Sequence, residues 1–190
     1  MRIQNIEFDA TFAHEYECKL LDELPSNQTP HYFPGGGDGG RDGVLVMVSP
    51  PARARWLGVF AFGYNSPKSK TGLYSWPAPD RLCVVSSGSG YLVNVNEPTE
   101  YASLEVEPIL EVIPIAESDI VVFANYTELI AFGGTGLKWK SKRISWDGFK
   151  ITTTNSEFIE GQVWNPRDEA DTHFRVALSD GNTEGGIDEQ

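Results

Sequence analysis

The sequence predicts an all-β fold, mainly antiparallel and sandwich- or barrel-like, with at most one short N-terminal helix. Three observations predict it. From Gly43 onward, short runs rich in Val, Ile, Phe and Tyr alternate with clusters of Gly, Pro, Asn and Ser, the punctuation of strands and turns. No convincing helical period of apolar residues runs between positions 44 and 178. Ten Phe, seven Tyr and five Trp in 190 residues supply a core that needs neither disulfide nor metal. The length suits a single domain over 1–190.

The elements follow in order. Ile3, Ile6 and Phe8 could open a strand, and Phe12, Tyr16, Leu20 and Leu24 recur at the spacing of one helix face, so a short helix is expected over about 12–24. Pro25-Ser26-Asn27 would end it. Residues 35–43, with six glycines in nine positions, predict a flexible loop, because glycine gives the backbone little reason to choose one conformation. Strands are then expected at 44–49, 56–62, 81–86, 91–95, 103–107, 109–113, 119–124, 128–132, 137–146, 149–154, 158–164 and 173–178. Pro108 and Pro114 confine the sixth of these to a sheet edge or a bend, since proline donates no ladder hydrogen bond. Asp147-Gly148 predicts a tight hairpin turn that would set Trp146 opposite Phe149 and Ile144 opposite Ile151. A parity switch between Trp139 and Ile144 asks for a bulge. Residues 180–190, polar, acidic and glycine-rich, read as a tail.

Two runs look alike: Leu82-Cys83-Val84-Val85 with Tyr91-Leu92-Val93 after a turn, and Ile120 to Ala124 with Leu129 to Phe132 after a turn, each preceded by Asp80 or Asp119. With Gly136-Leu137-Lys138-Trp139 and Asp147-Gly148 they resemble the hairpins of β-propeller blades over about 80–160. The resemblance implies incomplete propeller-like blades as the alternative architecture, and two units are too few to close a ring. It carries over no functional residue.

Motifs for chemistry are sparse. Gly88-Ser89-Gly90 leads into a strand, whereas a nucleophile elbow leads into a helix. Gly133-Gly134-Thr135-Gly136 likewise lacks the helix N-terminus that would receive a phosphate. His14 and Cys18 would share a helix face, but two ligands make no metal site, so neither metal nor cofactor is expected. Cys83, inside an apolar run, reads as a small buried hydrophobe. Glu105, Glu107 and Glu111 could pair as carboxylates, a pairing that 27 acidic residues also produce by chance.

The candidate binding residues are Lys138, Lys140, Lys142 and Arg143, four cations within six positions around Trp139, which could serve as an aromatic platform. Lysines that guard a strand edge explain the same pattern. Asp38 and Asp42 in the glycine loop are the other candidates, without the spacing of a calcium loop.

The formal net charge is −12, which repels nucleic acid and anionic membranes and attracts a basic partner. The expected protein is therefore a cytoplasmic, non-catalytic binding or protein-interaction module for a basic protein, a monomer or weak homodimer. Two alternatives stand beside it. One is a carbohydrate-binding module, suggested by the aromatic content. The other is an enzyme with a dispersed site drawing on His31, Asp38 or His173.

Overall fold

The structure is a computed structural model and describes residues 8–35, 42–64 and 66–187. It is all-β, with mostly antiparallel sheets, no closed barrel, and a single 3₁₀ turn at Ala116–Ser118 as the helical content of the described residues. The chain gathers into two compact units, Met1–Ile109 and Leu110–Gln190.

The first unit contains β1 (Phe8–Asp9), β2 (Glu17–Leu21), β3 (His31–Phe33), β4 (Gly43–Ser49), β5 (Trp56–Ala61), β6 (Gly72–Ser75), β7 (Arg81–Ser86), β8 (Ser89–Asn94) and β9 (Tyr101–Ser103). One sheet has the order β2-β4-β5-β3 and the other β1-β6-β7-β8-β9. Among the described residues only β1 on β6 and β3 on β5 pair parallel. Strand β4 alternates buried Val44, Val46 and Val48 with half-buried neighbours, as a strand with one face on a core must. Those valines join Leu82, Val84 and Val93 of the other sheet in one apolar cluster, and Phe33 stacks on Phe60 at 4.5 Å.

The second unit contains β10 (Glu111–Ile115), β11 (Ile120–Ala124), β12 (Leu129–Gly133), β13 (Gly136–Lys140), β14 (Lys150–Thr154), β15 (Phe158–Asn165), β16 (Ala170–Ala177) and β17 (Thr183–Gly185). They form two antiparallel meanders in chain order, β10 to β13 and β14 to β17. With β6 to β9, three sheets share the up-and-down four-stranded order that propeller blades use. Val122, Leu129 and Ala131 of one sheet and Ile159, Phe174 and Val176 of the other make the unit's core.

The two units repeat one local plan. The indole N–H of Trp56 donates to the Val95 carbonyl at 2.8 Å, and that of Trp139 donates to Leu178 at 2.7 Å, each reaching 39 residues along the chain. Both acceptors sit just past the third strand of a meander. Their own N–H groups bond Asp80 and Glu157 respectively, at 2.9 and 2.8 Å. In each unit a tryptophan of one sheet thereby ties down the strand end of the other.

Several expectations give way. No helix spans 12–24: residues 17–21 are β2, because pairing with β4 satisfies the backbone and places Cys18 and Leu20 against the core. The hairpin at Asp147-Gly148 does not form, and β13 and β14 belong to different sheets. The chain leaves β13 after Lys140, since the Ile144 N–H bonds the Thr127 carbonyl and the Ser145 hydroxyl closes the turn on the Gly148 carbonyl at 2.6 Å. The expected strand 109–113 starts later, at Glu111, and carries Pro114 on a sheet edge as proline requires. Part of the expected tail is structured: β17 pairs with β16, and Ile187 is buried with its N–H on the Ile144 carbonyl. Most of the glycine loop, including Asp38, lies outside the described residues.

Candidate functional site

Strand alternation decides the fate of the cationic segment. In β13, Lys138 and Lys140 point outward and Trp139 points inward, where it is buried and hydrogen-bonded to Leu178. Trp139 therefore offers no aromatic face to a partner, contrary to the platform expected. Lys140 pairs with Glu128 at 2.9 Å, and β13 is the edge of its sheet, so its lysines stand where edge protection needs them. Beyond the strand, Lys142 is exposed and the Arg143 guanidinium lies 4.5 Å from the ring centre of Trp146, which is 57% exposed. The exposed aromatic beside these cations is thus Trp146. Asp42 is exposed, and its backbone carbonyl accepts from the Phe62 N–H.

A pocket of 460 Å³ opens beside β13 in the second unit. Ile120, the edge of Trp139 and Leu178 form its apolar part, with Lys138 and Glu157 as opposite charges at its rim. Both Lys138 and Glu157 are exposed, so neither charge is withdrawn from water there.

The first unit holds a larger pocket, 520 Å³, beside β2. Phe8, Tyr16, Cys18 and Met47 give it an apolar lining, and His14, Glu17, Lys19 and Ser49 complete it. The local fold explains the arrangement. Strand β1 ends one sheet and β2 ends the other, so the pocket lies along the open side of that unit's two-sheet stack. Glu17 and Lys19 face outward, while Cys18 and Leu20 pack against the core. Exposed Glu15 precedes the strand, and exposed Asp22 and Glu23 follow it. None of these four carboxylates forms an ion pair with another described residue.

The pocket's reactive groups are held in structural roles. The Tyr16 hydroxyl donates to the Arg81 carbonyl at 2.8 Å, and burial raises its pKa. Burial pushes the Cys18 thiol up to about 12, which keeps it protonated and a poor nucleophile near neutral pH. His14 Nδ1 lies 2.8 Å from the Phe12 carbonyl, and the ring meets Phe8 edge-on at 4.9 Å. His14 and Cys18 do meet at one pocket, through a strand edge and not a helix face. Among the described residues no group of three or more His, Cys, Asp or Glu is placed to hold a metal ion.

The other motifs resolve into turns. Ser87 and Gly88, both at positive φ, make the turn before β8, and the Ser89 hydroxyl donates to Glu107 at 2.7 Å. Glu105 and Glu107 lie outside any strand and so do not share a strand face. Gly133 to Gly136 is the β12–β13 turn. Buried Cys83, its thiol pKa also raised by burial, sits in the middle of β7.

The groove beside β2 is not legible from the four-residue spacing of Phe12, Tyr16, Leu20 and Leu24, which has the pattern of a helix face. The available signal was the alternation Glu17-Cys18-Lys19-Leu20, polar then apolar, which is the pattern of a half-buried strand. Comparison of the chain with protein-family models, with curated proteins and with solved structures returns no match.

Proposed function

We propose that this protein is a non-catalytic binding module that recognises a basic protein partner at the groove beside β2. One observation carries the reading: an apolar pocket on an open sheet edge, lined by Glu17 and Lys19, with Glu15 just before β2 in the chain and Asp22 and Glu23 just after it, none of these four carboxylates ion-paired within the described residues. Apolar area supplies affinity there, and the unpaired carboxylates supply attraction and selectivity for cations. A cytoplasmic setting belongs to the proposal, supported by the two free cysteines, and so does a monomer or weak homodimer. No helix among the described residues is long and apolar enough to cross a membrane.

The test is binding of a fluorescent lysine-rich peptide, compared with a glutamate-rich peptide of equal length. The intact protein should bind only the basic probe, and the E15Q/E17Q/D22N/E23Q variant should bind it about tenfold more weakly, a loss of about 1.4 kcal/mol. Unchanged affinity in a variant that keeps its β-type circular dichroism would sink the assignment.

A second reading is favoured by one face of the second unit. Trp164, 57% exposed, lies on the same outward face of the β14–β17 sheet as Glu160, Gln162, His173 and Arg175. An aromatic among hydrogen-bonding side chains on a flat sheet suits the stacking of a sugar ring. Glycan-array binding that disappears with Trp164→Ala would support this reading, and an array without a hit would dismiss it.

A further inference from the structure

We infer that the basic partner is held by strand addition: an extended segment of it pairs with the free edge of β2 and seats its apolar side chains in the adjoining pocket. The inference rests on the reading above and specifies its mode of recognition.

Among the described residues strand β2 is hydrogen-bonded on one side only, to β4, so alternate residues send their N–H and C=O groups outward. Such a row is a template for another strand unless something blunts it. Two other edges of this protein are blunted, and the β14 edge, with one lysine and no proline, has only Ile151 as an apolar side chain. Strand β13 carries Lys138 and Lys140 and runs on into Lys142 and Arg143, and β10 carries Pro114, which has no N–H to offer. Strand β2 has no proline and one lysine, Lys19, and it leaves Cys18, Leu20 and Leu21 only half-buried.

The geometry also selects the occupant. Side chains of an added strand alternate between the two faces of the sheet. On the face of Cys18 and Leu20 they would meet the apolar side of the pocket, with Phe8 and Tyr16. On the face of Glu17 and Lys19 they would meet a carboxylate and an ammonium, with Glu15 before them and Asp22 and Glu23 beyond. A segment that fits has apolar residues at alternate positions, cations opposite Glu17 and at its ends, and an uncharged residue opposite Lys19. Main-chain hydrogen bonds would give this contact its affinity and the alternating side chains its specificity, as in other cases of β-augmentation.

The experiment uses the full chain and a blocked, fluorescent heptapeptide, Arg-Val-Lys-Val-Thr-Leu-Arg. Two further versions are N-methylated, one on the odd-numbered residues and one on the even-numbered. Methylation keeps every charge but removes the N–H donors of one edge of the peptide strand. The expected result is that one methylated version binds at least about tenfold more weakly while the other stays within about threefold of the parent. Amide shifts of the protein should then map to Glu17–Leu21. Equal binding of all three peptides, equal loss by both methylated versions, or shifts confined to β13 would each overturn strand addition while leaving the basic-partner reading standing. If neither the heptapeptide nor the lysine-rich probe binds, both fail together.

Discussion

Two tryptophans do the same task in this protein, and two others do none of it. Trp56 and Trp139 each bury an indole in a two-sheet core and spend the ring N–H on a carbonyl of the opposite sheet. A buried hydrogen bond of this kind leaves its acceptor stranded when the donor is removed, at a cost of about 1–3 kcal/mol. Trp139→Phe should therefore lower the urea midpoint of unfolding by an amount equivalent to that cost. Trp146→Phe, at a 57% exposed ring, should stay within about 0.5 kcal/mol. Equal effects of the two substitutions would contradict the assignment of the Trp139 indole as a clasp. The sequence makes Trp139 the centre of a cationic patch, and alternation does place it opposite in direction to Lys138 and Lys140. Which of the two directions leads inward is decided by the sheet that packs there.

At the scale of elements, the strands with valine-rich or hairpin-bounded runs were legible: β4, β5, β7, β8, β11, β12, β15 and β16 lie close to where the pattern puts them. Short strands were not. Strands β3, β6, β9 and β17 have three or four residues, too few for a period to emerge, and each is a strand because a neighbour pairs with it. The C-terminal segment shows what such pairing is worth. Residues 183–185 complete the β14–β17 sheet, and Ile187, 8% exposed, is buried with its N–H on the Ile144 carbonyl. Burial of that one side chain contributes about 2 kcal/mol. Removal of residues 181–190 should lower the thermal midpoint by several degrees, about 4 °C or more for each kcal/mol lost in a unit of this size. A midpoint within one degree of the intact chain would show that the segment contributes nothing.

For the molecule as a whole, the dominant physical fact is its net charge of −12. A field of this sign accelerates the approach of a basic partner and falls away with salt, because the screening length shrinks from about 10 Å at 0.1 M to about 3 Å at 1 M. The affinity for the lysine-rich probe should fall at least about tenfold across that range, chiefly through the association rate. Binding that ignores salt would place the contact on apolar area alone. The candidate site itself was only partly readable at this scale. Composition sets the charge of the proposed partner, and the groove proposed to receive it is assembled from β1, β2 and β4, segments up to about 40 residues apart in the chain.

What the sequence by itself determined is the all-β class, the mostly antiparallel pairing, the central strands and the charge, for these follow from local alternation, turn chemistry and composition. Tertiary structure alone decided that 17–21 is an edge strand, that Trp139 is inside and Trp146 outside, that Asp147-Gly148 joins two sheets, and that residues near the C-terminus complete one of them. The reason is common to all four. A short segment carries enough information to choose a backbone conformation, but its hydrogen-bond partners and the face it buries come from residues far away in the chain.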